Sequence, residues 1–126
     1  MSTTIRLGRG DTGSTKLKLF VSSLEDLPET FIVRFTVKPS LDNDITDSKA
    51  IITKSFEFPE DFDLVELVGE DDYYETDLIF TKSDTLVENR TYKWNTRLIN
   101  DAVGFIRSSS NGDFIITLGT TQSQDD

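Results

Sequence analysis

The stretch Phe80-Thr-Lys-Ser-Asp-Thr-Leu-Val-Glu-Asn-Arg-Thr-Tyr-Lys-Trp-Asn-Thr-Arg-Leu98 decides how this sequence is interpreted. It predicts a strand, a polar turn and a second strand, on which Tyr92, Trp94 and Leu98 share one face. Side chains of a strand point alternately to its two faces, so this face is expected to enter a core. The side chains expected to face water are Lys93, Asn95 and Arg97. The chain's one tryptophan therefore marks the centre of a buried sheet face.

The rest of the chain continues this alternation in short segments separated by polar turns. The alternating segments lie at 5–7, 17–21, 31–37, 50–58, 78–80, 92–99, 103–107 and 114–118. Residues 63–68 are typical of either a helical turn or a short strand, and Asn111-Gly112-Asp113 predicts a hairpin turn. Many short strands at regular spacing favour an all-β fold, an immunoglobulin-like antiparallel β-sandwich of about eight strands. We expect one sandwich domain over residues 1–119 and a polar tail at 120–126.

Composition limits the classes of function. The 126 residues include 13 lysines and arginines against 23 aspartates and glutamates, a formal charge of −10. This balance argues against a nucleic-acid partner and against binding to an anionic membrane, since both need clustered cations. The chain has no cysteine, so it has no disulfide or thiolate chemistry. It also shows no apolar run long enough to cross a bilayer and no signal-peptide pattern at its start.

Catalysis and metal binding find little support in the residue types. Histidine is absent along with cysteine, which removes most nucleophile–base pairs and the usual zinc ligands. Carboxylates alone could serve a glycoside hydrolase or bind calcium, and two acidic clusters stand out, Asp42-Asn43-Asp44 with Asp47, and Glu70-Asp71-Asp72. Neither has the spacing of a calcium loop, so solvated charge is the favoured interpretation. We predict no catalytic residue, no metal and no cofactor.

Two further motifs receive structural interpretations. Arg9-Gly10-Asp11 spells an adhesion tripeptide, but three residues recur by chance, and the flanking glycines suit a turn. The same glycines do not form a phosphate loop, because no helix start follows them.

Four apolar side chains are candidates for contact with a partner protein. Phe20, Tyr73 and Tyr74 fall out of phase with the apolar strand faces or lie in turns, and Ile32 points away from the face of its strand that is expected to be buried. Exposed aromatic groups commonly bind sugars or proteins. Phe20 and Ile32 would form one contact patch if their strands were adjacent. Alternatively, they would pack beneath residues 60–74.

Several segments, in order, carry a resemblance to a known family. The start Ile5-Arg-Leu-Gly-Arg-Gly-Asp-Thr-Gly13, with its Arg-Gly-Asp-Thr, precedes the alternating strands Leu17–Val21 and Phe31–Val37. Later, Phe80-Thr-Lys-Ser-Asp-Thr85 leads into the Tyr92-Lys-Trp94 strand, and Gly112-Asp-Phe-Ile-Ile-Thr117 forms a last strand. In this order the chain resembles the N-terminal β-sandwich domain of phage baseplate upper proteins, over nearly its whole length.

The resemblance implies a bacteriophage virion structural protein, without catalytic residues, assembled in the host cytoplasm. It implies a multi-copy tail or baseplate adaptor whose partners are other virion proteins and further copies of itself. Two alternatives remain open: an outer capsid decoration protein, and a carbohydrate- or host-surface-binding module that uses Tyr73, Tyr74 and nearby acids.

Overall fold

The computed structural model describes residues 4–39, 50–69 and 71–118, and more than half of this part of the chain is strand, with almost no helix. The predicted tail at 120–126 and the acidic cluster at 42–47 lie outside the described residues. The strands are β1 (Ile5–Gly8), β2 (Gly13–Phe20), β3 (Phe31–Lys38), β4 (Ile52–Phe58), β5 (Asp63–Val65), β6 (Tyr73–Phe80), β7 (Thr91–Asn100) and β8 (Phe105–Thr117). One short helix, α1 (Lys82–Thr85), joins β6 to β7, and 3-10 turns occupy Val21–Leu24 and Asp101–Val103. Within these ranges no helix is long and apolar enough to cross a membrane.

The strands form two sheets that pack face to face. One sheet has five strands in the order β1-β8-β7-β3-β4, and the other has three in the order β2-β6-β5. These orders correspond to the two sheets of a variable-type immunoglobulin domain. The predicted immunoglobulin-like sandwich of about eight strands is therefore confirmed. One pairing differs from the antiparallel expectation, because β1 runs parallel to β8.

Alternating apolar residues of both sheets meet in one core with two clusters. The first contains Phe35, Phe80, Trp94 and Phe114, and the second is built around Leu17, Leu19, Val33 and Leu98. In the first cluster Phe35 and Trp94 stack with their ring centroids 5.6 Å apart. The predicted burial of Tyr92, Trp94 and Leu98 is confirmed.

Arg97 corrects one part of the predicted alternation. It lies on the outer face of the five-stranded sheet, as expected, yet it is buried. The reason is its position in the middle of the sheet, between Arg34 of β3 and Ser108 of β8. An arginine surrounded by neighbouring strands on a sheet face can bury its long stem without entering the core.

The segment 105–117 corrects a second expectation. Asn111-Gly112-Asp113 does not form a hairpin turn, because it lies inside the continuous strand β8. Gly112 is paired with Trp94 of β7 and is buried. The turn between β7 and β8 falls instead at Asp101–Val103 and ends on Gly104, whose φ of 66° suits glycine. The register also shifts along β8. Asn95 is paired with Asn111 and Arg97 with Ser108, so two residues along β7 correspond to three along β8, and β8 carries a bulge.

Tyr92 fixes the connection from α1 into β7. Its hydroxyl donates a hydrogen bond of 2.7 Å to the backbone oxygen of Glu88, four residues upstream. This is the tyrosine corner of immunoglobulin-like sandwiches, and Trp94 stands where such domains place the second cysteine of their intersheet disulfide. In this cysteine-free chain, aromatic packing by Trp94 occupies that position.

Candidate interaction surfaces

A row of three isoleucines crosses the outer face of the five-stranded sheet. Ile32 of β3 is paired with Ile99 of β7, and Ile99 is paired with Ile106 of β8. Directly paired side chains lie about 5 Å apart on one face, so the three form a continuous apolar strip, here called the isoleucine row. Ile32 is 43% exposed and Ile106 53% exposed, while Ile99 between them is buried.

Cationic residues occupy the same sheet face beyond the isoleucine row. Arg34 is paired with Arg97, and Lys38 is paired with Lys93, on the two central strands. Lys93 forms an ion pair of 2.5 Å with Asp113. Arg34, Lys38 and Arg97 also have partners. The exposed part of this face that we consider for binding is therefore the isoleucine row.

A cavity of about 330 Å³ lies at the Ile32 end of the isoleucine row. Glu57 and Glu60 stand on its wall beside Ile32 and Ile99. A hydrogen bond with Glu60, together with the charge of Glu60, raises the pKa of the Glu57 carboxyl, and desolvation and the charge of Asp61 add to this. The two glutamates repel each other when both are ionised, so ionisation of Glu57 is disfavoured beside Glu60.

The outer face of the three-stranded sheet carries a second apolar feature, an aromatic pair. Phe20 of β2 and Tyr73 of β6 are paired in register, and their ring centroids lie 5.6 Å apart. Phe20 is 47% exposed. The Nζ atom of Lys18 lies 4.7 Å from the centre of the Tyr73 ring. Two of the four predicted contact residues are thus brought together.

The other two predicted contact residues are placed elsewhere. Tyr74 sits edge-on against Phe58 with their centroids 4.8 Å apart, so its ring supports the core. Ile32 lies on the five-stranded sheet, whereas Phe20 lies on the three-stranded sheet. The interpretation of Phe20 and Ile32 as one shared patch is therefore wrong, because their strands are not adjacent and their side chains leave the sandwich on opposite sides. A contact role for each residue stays a prediction.

The predicted acidic and adhesion motifs have structural partners. Asp71 accepts a hydrogen bond of 2.6 Å from the Ser22 hydroxyl, and Asp72 accepts one of 3.0 Å from the Leu67 backbone. In the adhesion tripeptide, Arg9 donates through Nε to the backbone oxygen of Val87 at 2.9 Å. Over residues 4–39, 50–69 and 71–118, no group of three or more acidic side chains is arranged to hold a metal ion.

A cleft of about 440 Å³ opens between the two sheets beside β2. Core residues Phe35, Leu78 and Trp94 line its floor, and Ser109 and Ser110 of β8 form its opposite lip. The cleft lies next to a part of β8 that has no neighbour on that side among the described strands, because β1 pairs with Phe114–Thr117 alone.

Sequence reasoning missed both the isoleucine row and the cleft. The alternation of Phe105 with Ile106 could have indicated an outward isoleucine, but only the register shows that Ile106 adjoins Ile99. The cleft depends on the length of β1 relative to β8, which no local pattern gives.

Comparisons with known proteins add little to this description. No protein-family model matches the chain, and no curated protein matches it. The chain is similar to a solved structure, the extracellular fragment of novel immune-type receptor 10 from Ictalurus punctatus, with 12% identity over 94% of this chain and 98% of that chain and a TM-score of 0.35. A likeness of this size supports no functional argument, and the fold assignment depends on the strand pairing.

Proposed function

We propose that this chain is a non-catalytic structural subunit of a bacteriophage virion, present in several copies on the tail or baseplate. The virion assignment comes from the resemblance of the Arg9–Thr12 start and the Tyr92-Lys-Trp94 strand to phage baseplate upper proteins. The observation that carries a docking role is the isoleucine row.

The isoleucine row is suited to contact with a protein neighbour. It is continuous, because it crosses three adjacent strands of one sheet. It is also apolar in a chain whose formal charge is −10, so covering it removes apolar surface from water. Burying two half-exposed isoleucines in a well-packed contact is worth about 1–3 kcal/mol. Many weak contacts of this size suit a subunit repeated on a symmetric particle.

The first experiment tests the virion assignment. Particles of the phage that encodes the chain are purified on a density gradient, and the chain is quantified against other particle proteins by mass spectrometry. We expect a fixed multi-copy stoichiometry with tail or baseplate proteins. Recovery in fixed ratio with isolated heads would assign the chain to the capsid surface as a decoration protein. Recovery only in the soluble fraction would contradict the virion role.

The second experiment tests the isoleucine row. The variant Ile106→Glu puts a charge on the row, and Ile79→Glu makes the same change at an exposed isoleucine on the opposite outer face. We expect Ile106→Glu to lower incorporation into particles at least about tenfold, which corresponds to 1.4 kcal/mol, while Ile79→Glu leaves it unchanged. Melting curves of both variants report whether the fold is intact. Equal loss in both variants would show that the row is not the contact.

The Phe20–Tyr73 pair favours a second candidate function, carbohydrate binding. An exposed aromatic ring beside a cation offers a stacking surface and a hydrogen-bond donor to a sugar. Titration of the isolated protein with a glycan panel tests this candidate. Binding that is lost in Phe20→Ala and retained in Ile106→Glu would support it, whereas absence of binding to every glycan would rule it out for that panel.

A further inference from the structure

We infer that the outer edge of β2, together with the cleft beside it, is an acceptor site for an extended segment of another protein. The segment is one in which apolar residues alternate with acidic residues. This site is separate from the isoleucine row and does not depend on the virion assignment.

The edge of β2 offers the backbone groups that such a segment needs. β2 is the outermost strand of its sheet, and among the described strands it pairs only with β6. In a paired strand, roughly every second residue directs its N–H and C=O groups towards the sheet and the others direct them away. The segment Thr15–Leu19 therefore presents hydrogen-bonding groups along the mouth of the cleft, as peptide-accepting sheet edges do.

The cleft gives the inserted segment a place for its apolar side chains. A strand added beside β2 would point every second side chain inwards, between the sheets. There it would meet Leu17, Phe35 and Trp94, which line the cleft. The volume of about 440 Å³ lies within the range of ligand-binding pockets. Inward positions of the segment are therefore expected to be apolar.

The outward positions are expected to be acidic because of two lysines. Lys16 and Lys18 point to the outer face of the three-stranded sheet, on the strand that would receive the segment. On the side towards β6, Lys16 forms an ion pair of 2.6 Å with Asp77, and the Nζ atom of Lys18 lies 4.7 Å from the centre of the Tyr73 ring. Cross-strand neighbours of opposite charge stabilise a sheet, and neighbours of like charge destabilise it. Acidic side chains opposite these lysines would complete a row of alternating charge.

The same lysines argue against a second copy of β2 as the occupant. Antiparallel pairing of β2 with its own copy would set lysines against lysines on one face. Lysines on an edge strand are a known way to prevent such self-pairing. The site therefore selects a different strand with the opposite charge pattern.

A peptide array tests the acceptor site with the full chain. Ten-residue peptides alternate Val, Ile or Phe with Asp, Glu, Lys or Ser, and each has a scrambled counterpart of the same composition. We expect the acidic alternating peptides to bind above their scrambled counterparts and above the lysine-bearing peptides. Equal binding of acidic and lysine-bearing peptides, or binding no better than that of scrambled peptides, would overturn the inference.

Charge reversal in the protein locates the contact. For the best acidic peptide, we expect the double variant Lys16→Glu with Lys18→Glu to lower affinity about tenfold or more, since two favourable neighbours become unfavourable. The single variants Lys16→Glu and Lys18→Glu are also measured, and Lys82→Glu in the exposed helix α1 is their matched control, because each of the three reverses one charge. For Lys82→Glu we expect a change below about twofold. Equal loss in the control would mean that only net charge matters and would refute the acceptor site.

Hydrogen exchange measured on the wild-type complex distinguishes strand addition from surface adsorption. We expect amides of Thr15–Leu19 to gain protection when the peptide binds, because they become donors to a new strand. Protection confined to β7 and β8 would place the peptide on the isoleucine row and overturn the inference. Analytical ultracentrifugation of the protein alone supplies the last outcome: a dimer that the neutral double variant Lys16→Gln with Lys18→Gln strengthens would identify a second copy as the occupant.

Discussion

Trp94 of β7 lies directly opposite Gly112 of β8, and both are buried. Paired residues point to the same face of a sheet, so any side chain at position 112 would enter the space beside the indole. With glycine at 112, no side chain stands directly opposite the largest side chain of the core.

Gly112→Val should destabilise the fold by about 1–3 kcal/mol, because the added methyl groups would overpack the indole. Chemical denaturation measures this free energy of unfolding. Asn111→Val is the matched control, since Asn111 is exposed on the other face of the same strand, and its change should stay within about 0.5 kcal/mol. A Gly112→Val protein as stable as the wild type would show that the pocket around Trp94 has spare room.

Trp94→Ala should lower stability by about 3–5 kcal/mol, because it leaves a void beside Phe35 in the main core cluster. Trp94→Phe keeps part of the aromatic packing and should lose less. Urea denaturation of the three proteins measures the series. If the alanine variant lost no more than an exposed substitution would, Trp94 could not be a core residue.

Tyr92→Phe should cost about 1 kcal/mol, because it removes the hydroxyl that bonds to the Glu88 backbone. Tyr73→Phe is the matched control: within the described part of the chain the Tyr73 hydroxyl makes no hydrogen bond, and its removal should change little. Thermal melts of both variants give the comparison. Equal effects would mean that the tyrosine corner contributes nothing specific.

Asp84→Asn should destabilise the fold by about 1–2 kcal/mol near neutral pH. Asp84 accepts from Lys54 at 2.7 Å and from the Thr81 backbone at 2.8 Å, and it is 19% exposed. Burial opposes ionisation, but these hydrogen bonds outweigh it and lower the pKa of Asp84 below its ordinary value of 3.8. The contribution of ionised Asp84 to folding stability is therefore complete above pH 3.8 and is lost as pH falls through the lowered pKa. The difference between wild type and variant should be constant from pH 5 to 8 and shrink below about pH 4.

Asp77→Asn is the control for this prediction. Its ion pair with Lys16 is as short, at 2.6 Å, but the Asp77 side chain is 58% exposed. Solvent screens such a pair, so the loss should be about 0.5 kcal/mol or less. A loss as large as that of Asp84→Asn would show that burial does not distinguish the two pairs.

Glu60→Gln should raise the melting temperature at pH 7 and leave it unchanged near pH 3.5. The hydrogen bond with Glu60 and its charge raise the pKa of Glu57 above 4.5 in the folded state. The hydrogen bond that shares a proton between Glu57 and Glu60 is thus fully formed below pH 4.5, and its contribution to folding stability is lost as pH rises through the raised pKa of Glu57. Glu29→Gln removes the same charge from an exposed position and corrects for the general effect of lowering net charge. A similar rise in both variants would show no special repulsion between Glu57 and Glu60.

Local alternation was enough to predict most strands, because apolar and polar residues alternate regularly along each of them. Leu17 with Leu19, and Phe31 with Val33, are examples whose inward faces are confirmed. The sequence also contained the Thr81 to Asp84 capping box of α1, although the turn was predicted only as polar.

The misses have one physical cause, since they depend on neighbours distant in the chain. Asn111-Gly112-Asp113 has the local chemistry of a turn, and only its pairing with Lys93–Asn95 across the sheet keeps it inside a strand. Arg97 has the charge of a solvent-facing residue, and only two flanking strands bury it. The isoleucine row was missed for the same reason, because only the pairing of β7 with β8 places Ile106 beside Ile99.

The parallel pairing of β1 with β8 determines how the molecule bears tension. Ile5 is paired with Phe114, and Gly8 is paired with Thr117, so the chain enters β1 at one end of this ladder and leaves β8 at the other. A force that draws those two ends apart acts along the ladder and loads all its hydrogen bonds together. Such a shear arrangement resists pulling far better than one whose bonds open singly. Under such a pull β1 and β8 can separate only when these hydrogen bonds break together.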